Sequence, residues 1–512
     1  MGVMLLGLLK GKTKKTALNA IFSSIALLVS SLLALVSTRV VIESVGSDYN
    51  GLNSIISQFL SVLMIIESGF TVAALVKLYK PYGENDFVEV NKIISKTRKS
   101  LLRIGWWMLI IGIAISLIYA CFIKTSASYW TVVTLFVISI ASTAFNFGYI
   151  YKYRLLFQVS QNEYVIYIIN IILYIVSYGG MILIIKFLQN IILARAFYSG
   201  CNILSGLFIG LYAKKLFPNA CFRVESQDVK IEGVKDLFVS KIVGVAYNSL
   251  TVFYMSVFNG TLLASVYAVY NQVISLASNY MNVFFSSPRN ALGAVVNSEK
   301  ERVRQILNEY EYVVIIVSST IFSIAIAMIT PFVRLYTRGI DDINYIVPYL
   351  GIILSLTAIL QLIHIPSGQC IELTGRFSIS KKIQLITLTC LVVFSIIGAS
   401  LFDFVGLLIA KLLSNIVLAI IEISYAHTKI VPHSSQDFLK MLLPNYLFVG
   451  IITTIEFIWL FNKEMSIMQF VCAILGIAIL NGLSMLLFNF VFYRNKLNAI
   501  FMRFKRLIKR YN

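Results

Sequence analysis

The 512-residue chain is 58% hydrophobic and only 13% charged, with a mean hydropathy of +0.84. A soluble domain averages about 25% charged residues, so too little polar surface remains here to cover a water-soluble globule. The formal net charge of +20 would raise the question of nucleic acid in a soluble protein. Here the Lys and Arg residues fall in short stretches between apolar blocks, where they set membrane orientation, and nucleic acid is excluded as a partner.

Apolar blocks of about 20 residues recur along the chain, the length that crosses about 30 Å of hydrocarbon at 1.5 Å per residue. They predict an all-α polytopic membrane protein with about fourteen transmembrane helices. The expected spans are 18–39, 52–77, 104–123, 129–151, 164–185, 190–213, 238–259, 262–287, 312–333, 345–365, 383–402, 404–426, 441–462 and 466–493. The first block is too long for a signal-peptide core and shows no small-residue cleavage pattern, so it is expected to remain as span 1. With these spans, alternate loops hold 34 Lys and Arg on one side and six on the other, with three more inside spans. The basic side is expected to be cytoplasmic, with the chain in a bacterial cell membrane and both termini on its cytoplasmic side.

Two stretches on the basic side are more than simple loops. Residues 84–103 set Val90, Ile93, Ile94, Leu101 and Leu102 at mostly helical spacing among charges. Residues 494–512 place Leu497, Ile500, Phe501, Phe504, Leu507 and Ile508 on one helical face, with Lys496, Arg503, Lys505, Arg506, Lys509 and Arg510 around the rest. That pattern predicts a basic amphipathic tail lying on anionic membrane lipid.

A weak internal repeat aligns 46–60 with 260–274, Gly46 on Gly260 and Gln58 on Gln272. Each copy opens the second helix of a six-helix group and is followed by a charged amphipathic stretch. The expected organisation is an N-terminal lobe over 1–215 and a second lobe over 216–430. Two added helices follow over 431–493, then the tail 494–512. An even helix number per lobe makes the repeat parallel.

No G-x-S-x-G, P-loop or G-x-G-x-x-G is present, which points away from an enzyme, from a nucleotide-driven mechanism in this chain and from a bound cofactor. The six cysteines form no CxxC pair and read as small buried apolar residues. The three histidines, His364, His427 and His433, have no metal-ligand spacing. What remains is charge within spans, which is costly in hydrocarbon and is expected to face a cavity or a partner. Arg39, Arg195 and Lys411 form a cationic set suited to an anionic ligand, Arg in particular to bidentate phosphate or carboxylate contacts. Local pairing, for example of Arg39 with Glu67 in span 2, is the structural alternative. Lys241, Glu422 and Glu456 lie near span ends, where snorkelling accounts for them. Asn53, Gln58, Asn248, Asn271, Gln272, Asn279 and Asn282 crowd spans 2, 7 and 8. They suit helix–helix bonding or a hydroxyl-rich ligand equally well.

The run 38–105, TRVVIESVGSDYNGLNSIISQFLSVLMIIESGFTVAALVKLYKPYGENDFVEVNKIISKTRKSLLRIG, resembles the start of polysaccharide repeat-unit flippases. These belong to the multidrug/oligosaccharidyl-lipid/polysaccharide exporter superfamily. The matching features are the late Arg of the first helix, Val-Gly before the second, Glu-x-Gly within it and Tyr-Lys-Pro closing it. YRLLFQVSQNEYVIYIIN (153–170) and HIPSGQCIELTGRFSISKK (364–382) are similar to the family's segments entering helix 5 and following helix 10. His364 departs from the pattern by standing where an arginine is expected.

The resemblance implies transfer of an oligosaccharide carried on undecaprenyl pyrophosphate from the cytoplasmic to the outer leaflet, for a capsule or O-antigen type polymer. It implies two lobes around a cavity lined by helices 1, 2, 7 and 8. Arg39, Glu67, Gln58, Arg195, Lys241, Asn248, Asn271, Gln272 and Lys411 are the candidate substrate contacts. A polysaccharide polymerase and other assembly proteins are the candidate partners. Two other readings stand beside it. A cation-coupled multidrug exporter of the same superfamily would prefer acidic residues in its cavity. A membrane-embedded polymerase or glycosyltransferase would carry its catalytic residues on long outer loops, and every outer loop here is short.

Overall fold

A computed structural model describes residues 12–224, 244, 247, 249–295, 300–431, 435–498 and 502. Among them the chain is helical, with no strand. It divides into two compact units, Met1–Ala268 and Val269–Asn512.

Unit 1 begins with α1 (Lys12–Val45), α2 (Ser47–Leu63) and α3 (Ile65–Gly83). It continues with α4 (Phe87–Tyr119), α5 (Tyr129–Tyr149), α6 (Tyr151–Val159), α7 (Tyr164–Leu188), α8 (Ile191–Leu216) and α9 (Ser249–Phe258). The first turns of α10 (Thr261–Val295) also belong to it. Unit 2 holds the rest of α10, α11 (Lys300–Tyr336), α12 (Pro348–Ile363), α13 (Ile365–Leu373) and α14 (Phe377–Tyr425). After one π-helical turn at Ala426–Ile430 come α15 (Ser435–Leu460) and α16 (Ile467–Phe492). In unit 1, α1 packs on α7, α7 on α8 and α4 on α5; in unit 2, α11 gathers α12, α15 and α16.

Ten helices among the described residues are long and apolar enough to cross a membrane. The difference from the expected fourteen has local causes. Spans 11 and 12 form the two arms of α14, which breaks at Asp403 (φ 50, ψ −129). There Gly398 and Gly406 bring their backbones together, and a Cβ on either would meet the other's carbonyl oxygen. Span 2 is divided at Met64 into α2 and α3. Span 7 is described only in part, and span 8, the polar-rich α10, does not meet the apolarity of a simple span.

The last helix shows which solvent surrounds the chain. On α16, Ile477, Asn481, Met485 and Asn489 are buried at four-residue intervals, while Leu475, Ile479, Leu483 and Leu487 are exposed. Asn481 Nδ2 donates to Ser323 Oγ at 2.9 Å and to Glu456 Oε2 at 3.1 Å. Asn489 donates to Asn445 Oδ1 and accepts from the Tyr312 hydroxyl, both at 2.8 Å. A helix with amides inside and leucines outside is stable only where the surroundings are hydrocarbon.

The two glycines aligned in the sequence share a backbone conformation. Gly46 (φ 103) and Gly260 (φ 91) each occupy the region that side chains avoid, immediately before α2 and α10. In unit 1 these two helix starts are tied together. The Asp48 carboxylate accepts from Thr125 Oγ1 (2.7 Å), Ser126 N (2.8 Å) and Ser126 Oγ (2.6 Å), and also from the Thr261 hydroxyl. One turn along, Asn50 Nδ2 donates to Ser265 Oγ at 2.8 Å.

The charged stretch 84–103 is not a separate piece. Asp86 caps Glu89 N, and α4 runs on without a break into span 3. Val90, Ile93 and Ile94 are fully buried against Ala74, Leu78, Leu155 and Leu156, so this apolar face packs on protein. In the aligned place of the second repeat, α11 likewise extends below its span. Of the tail, residues 494–498 and 502 are helical, and the remainder lies outside the described residues. The cysteine expectation holds for Cys201 and Cys370, which are buried. It fails for Cys121, Cys221 and Cys472, which are exposed; Cys472 lies on the outward side of α16, where a small apolar residue meets hydrocarbon at no cost.

Candidate functional site

The expected substrate contacts are held by different neighbours. Arg39, in the last turns of α1, has its Nε 3.7 Å from the exposed carboxylate of Glu43, one turn on. Glu67 lies on α3 with its side chain outside the described residues, as are Lys241 and Asn248 entirely. Gln58 on α2 accepts from Ser249 Oγ at 3.4 Å, so the polar faces of spans 2 and 7 meet inside unit 1. Asn271 and Gln272 are half-buried on the part of α10 that belongs to unit 2. Lys411 is buried in the second arm of α14, where its backbone carbonyl accepts from the side chains of Ser414 and Asn415.

Arg195 differs from these. Its Nε donates to Ser139 Oγ at 2.6 Å, and its guanidinium lies 5.9 Å from the centre of the Tyr198 ring. Among the described residues no carboxylate pairs with it. A guanidinium inside a span whose described neighbours are a serine hydroxyl and the Tyr178 and Tyr198 side chains keeps donors available for an anion.

Unit 2 contains a constellation that sequence reasoning missed. His427 Nε2 and Glu311 Oε1 are 2.7 Å apart with both side chains fully buried, and Ser367 Oγ donates to the same carboxylate oxygen at 3.3 Å. His364 Nδ1 and Glu422 Oε2 are also 2.7 Å apart. The two pairs flank α13, because Ser367 touches one, and a Cβ on the adjacent Gly368 would fall 2.4 Å from Glu422 Oε2. Glu422 is therefore not snorkelling to a membrane surface but is bound inside the unit. Glu456 is likewise buried, against Asn481. The available signal was His364 in place of an arginine: a weaker cation calls for a close carboxylate, and Glu422 was already conspicuous as an acid in an apolar block. Among the described residues no group of His, Cys, Asp and Glu is arranged to hold a metal ion.

Comparison with solved structures finds the same fold elsewhere. The chain is similar to the lipid II flippase MurJ in an inward closed conformation, with a TM-score of 0.68 and 15% identity over 93% of this chain and 99% of that one. It is also similar to a multidrug resistance MATE family transporter of the MOP superfamily in an inward-facing conformation (TM-score 0.63, 12% identity, 80% of this chain and 98% of that one). An outward-facing MATE structure matches as well (TM-score 0.59, 13% identity, 84% and 98%). No protein-family model and no curated protein matches the sequence. At these identities the likeness is one of fold, and function has to be argued from the site.

Proposed function

We propose that the chain is a flippase for lipid-linked oligosaccharides, moving repeat units on undecaprenyl pyrophosphate across a bacterial cell membrane for surface-polysaccharide synthesis. The observation that carries this reading is Arg195, a guanidinium within a span with no carboxylate partner among the described residues. A diphosphate and its sugars cannot enter hydrocarbon alone, and a fixed cation with spare donors replaces part of their water. Arg39 and Lys411 are further candidate contacts, each to be tested by itself.

The rival substrate, a cationic drug, would be served by free intramembrane carboxylates. In unit 2 the carboxylates of Glu311, Glu422 and Glu456 are engaged by His427, His364 and Asn481. The neighbours in fold are transporters, which supports transport over the polymerase reading. We place the basic loops and both termini in the cytoplasm, with the tail on anionic lipid. In a cysteine-free background, single cysteines at Leu188, Asp341 and Lys463 should then react with an impermeant thiol reagent in intact cells. Those at Lys99 and Asn219 should react only after permeabilisation, and the reverse pattern would overturn the orientation.

The test of substrate class is complementation of a deletion strain. Arg195→Ala is expected at normal protein level with no surface polymer and with lipid-linked repeat units accumulating inside. Arg195→Lys keeps the charge without the planar fork and should retain part of the transport. Full polymer from a well-expressed Arg195→Ala protein would sink the reading while leaving the fold standing.

A further inference from the structure

Below the spans of unit 1, the short helix α6 buries a lysine. Lys152 is only 5% exposed, and its ammonium sits among three rings, 4.5 Å from the centre of Tyr149, 4.8 Å from Tyr153 and 5.6 Å from Phe222. The enclosure is built rather than incidental. Residues 219–224, which carry Phe222, are laced to α4 by side chains one turn apart. Asn91 Nδ2 donates to Asn219 O at 3.1 Å, and Asn91 Oδ1 accepts from Cys221 N at 2.8 Å. Ser95 Oγ accepts from Val224 N at 3.0 Å, and Arg98 Nη1 donates to Phe222 O at 3.4 Å. Phe222 is thereby pressed edge-on to Tyr153, with ring centres 4.9 Å apart.

The charges around this enclosure have one sign. Half-buried Arg98, bonded to the Phe222 carbonyl, and the exposed Lys214 and Arg223 lie close enough to repel Lys152. Burial first, and then repulsion from these three cations, lowers the Lys152 ammonium from its ordinary 10.5 to about 8. Among the described residues no carboxylate or hydrogen-bond acceptor is set against it. Rings favour an ammonium, but they do not relieve repulsion between four like charges. An anion does, and two of the four cations, Lys214 and Arg223, are exposed, where one can arrive.

We propose that Arg98, Lys152, Lys214 and Arg223 form a binding site for a phosphate group. The site does not rest on the transport reading, because it lies outside the spans and its argument uses none of the intramembrane residues. The phosphate could be free in solution or carried on a lipid headgroup; both present the same oxygens to the same donors.

The test uses the purified full chain and follows its thermal unfolding. Inorganic phosphate is titrated in detergent, and phosphatidic acid is compared with pure phosphatidylcholine in nanodiscs. Either probe should stabilise the protein: inorganic phosphate acting in detergent identifies a soluble anion, and phosphatidic acid acting where phosphate does not identifies a headgroup. Lys152→Met keeps the apolar stem in the ring enclosure and should weaken binding about tenfold, the loss of one charge-assisted contact. Lys214→Gln with Arg223→Gln changes only exposed side chains and should weaken it by a similar factor, whether or not Lys152→Met folds. Lys186→Gln, at the far end of α7, should bind as the unaltered protein does. No stabilisation by either probe, or equal stabilisation with the exposed double change in place, overturns the site.

Discussion

Around Lys152 in unit 1, four cations share one neighbourhood and three rings are the close contacts of the buried ammonium. Around Glu311 and Glu422 in unit 2, each carboxylate faces an imidazole at 2.7 Å, and a serine hydroxyl adds to one of them. Both regions take charge out of water, and both lie beside a short helix that interrupts the long spans. The difference is where the compensation comes from. In unit 2 the chain supplies it, so the charges are part of how the helices are held. Around Lys152 no described residue supplies it, so the charges remain available. Buried charge by itself says little about function; whether the fold has already answered it says more.

That comparison can be broken most directly at Glu311. Glu311→Ala leaves His427 buried without its carboxylate and should cost about 3–5 kcal/mol, while replacing both partners with apolar residues of similar volume should be near neutral. Thermal unfolding and membrane yield of the single and the Glu311→Leu with His427→Phe variants would show this. A harmless single change would mean that the pair is not holding the unit.

The next effect tests a compensated charge in unit 1 itself. Asp48→Ala removes the acceptor for Thr125, Ser126 and Thr261, and should lower stability by about 1.5–3 kcal/mol, as expected for bonds to an ionised acceptor. If unfolding is unchanged, the carboxylate does not join the two helix starts.

Lys152→Met should move in the opposite direction. The folded ammonium, lowered to about 8 from 10.5, binds its proton less well than in the unfolded chain. The penalty is therefore fully present below pH 8 and fades as pH rises from 8 to 10.5. Without added anion, the variant should gain about 1–2 kcal/mol at neutral pH, since lost ring contacts offset part of the relief. The gain should shrink across pH 8 to 10.5. A variant less stable than the parent would make Lys152 a structural residue after all. The smallest effect belongs to the exposed pair. Glu43→Gln should change stability by no more than about 0.5 kcal/mol, because Glu43 is largely solvated beside Arg39.

The features that repeat locally were legible in the sequence. Apolar blocks located the spans, and Gly46 and Gly260 marked two helix starts of like backbone conformation, because each of these signals lies within one continuous stretch. What escaped was assembled at a distance. His427 and Glu311 are 116 positions apart, and His364 and Glu422 are 58. No spacing rule connects such residues, and two acids near span ends were read as reaching for the surface. Lys152 counted as one more loop charge because nothing in its own stretch reveals that Tyr149 and the distant Phe222 close over it. The helical spacing of 84–103 was legible, but not that α4 and α11 carry such charged stretches unbroken into their spans. Of the expected substrate contacts, Arg195 kept the property that singled it out, whereas Arg39 has a carboxylate one turn away.

The Asp48–Thr261 bond also sets a clock. Its two ends are separated by 213 positions, and a ribosome adding about 5–20 residues per second needs roughly 10–40 s to travel that distance. For most of that interval Thr125 and Ser126 already hold one oxygen of Asp48, while the other waits for the start of α10. The first compact unit therefore cannot complete this joint from the helices that precede α10. It waits for the first turn of α10, and a chain arrested before residue 261 would keep one Asp48 oxygen without its hydroxyl partner.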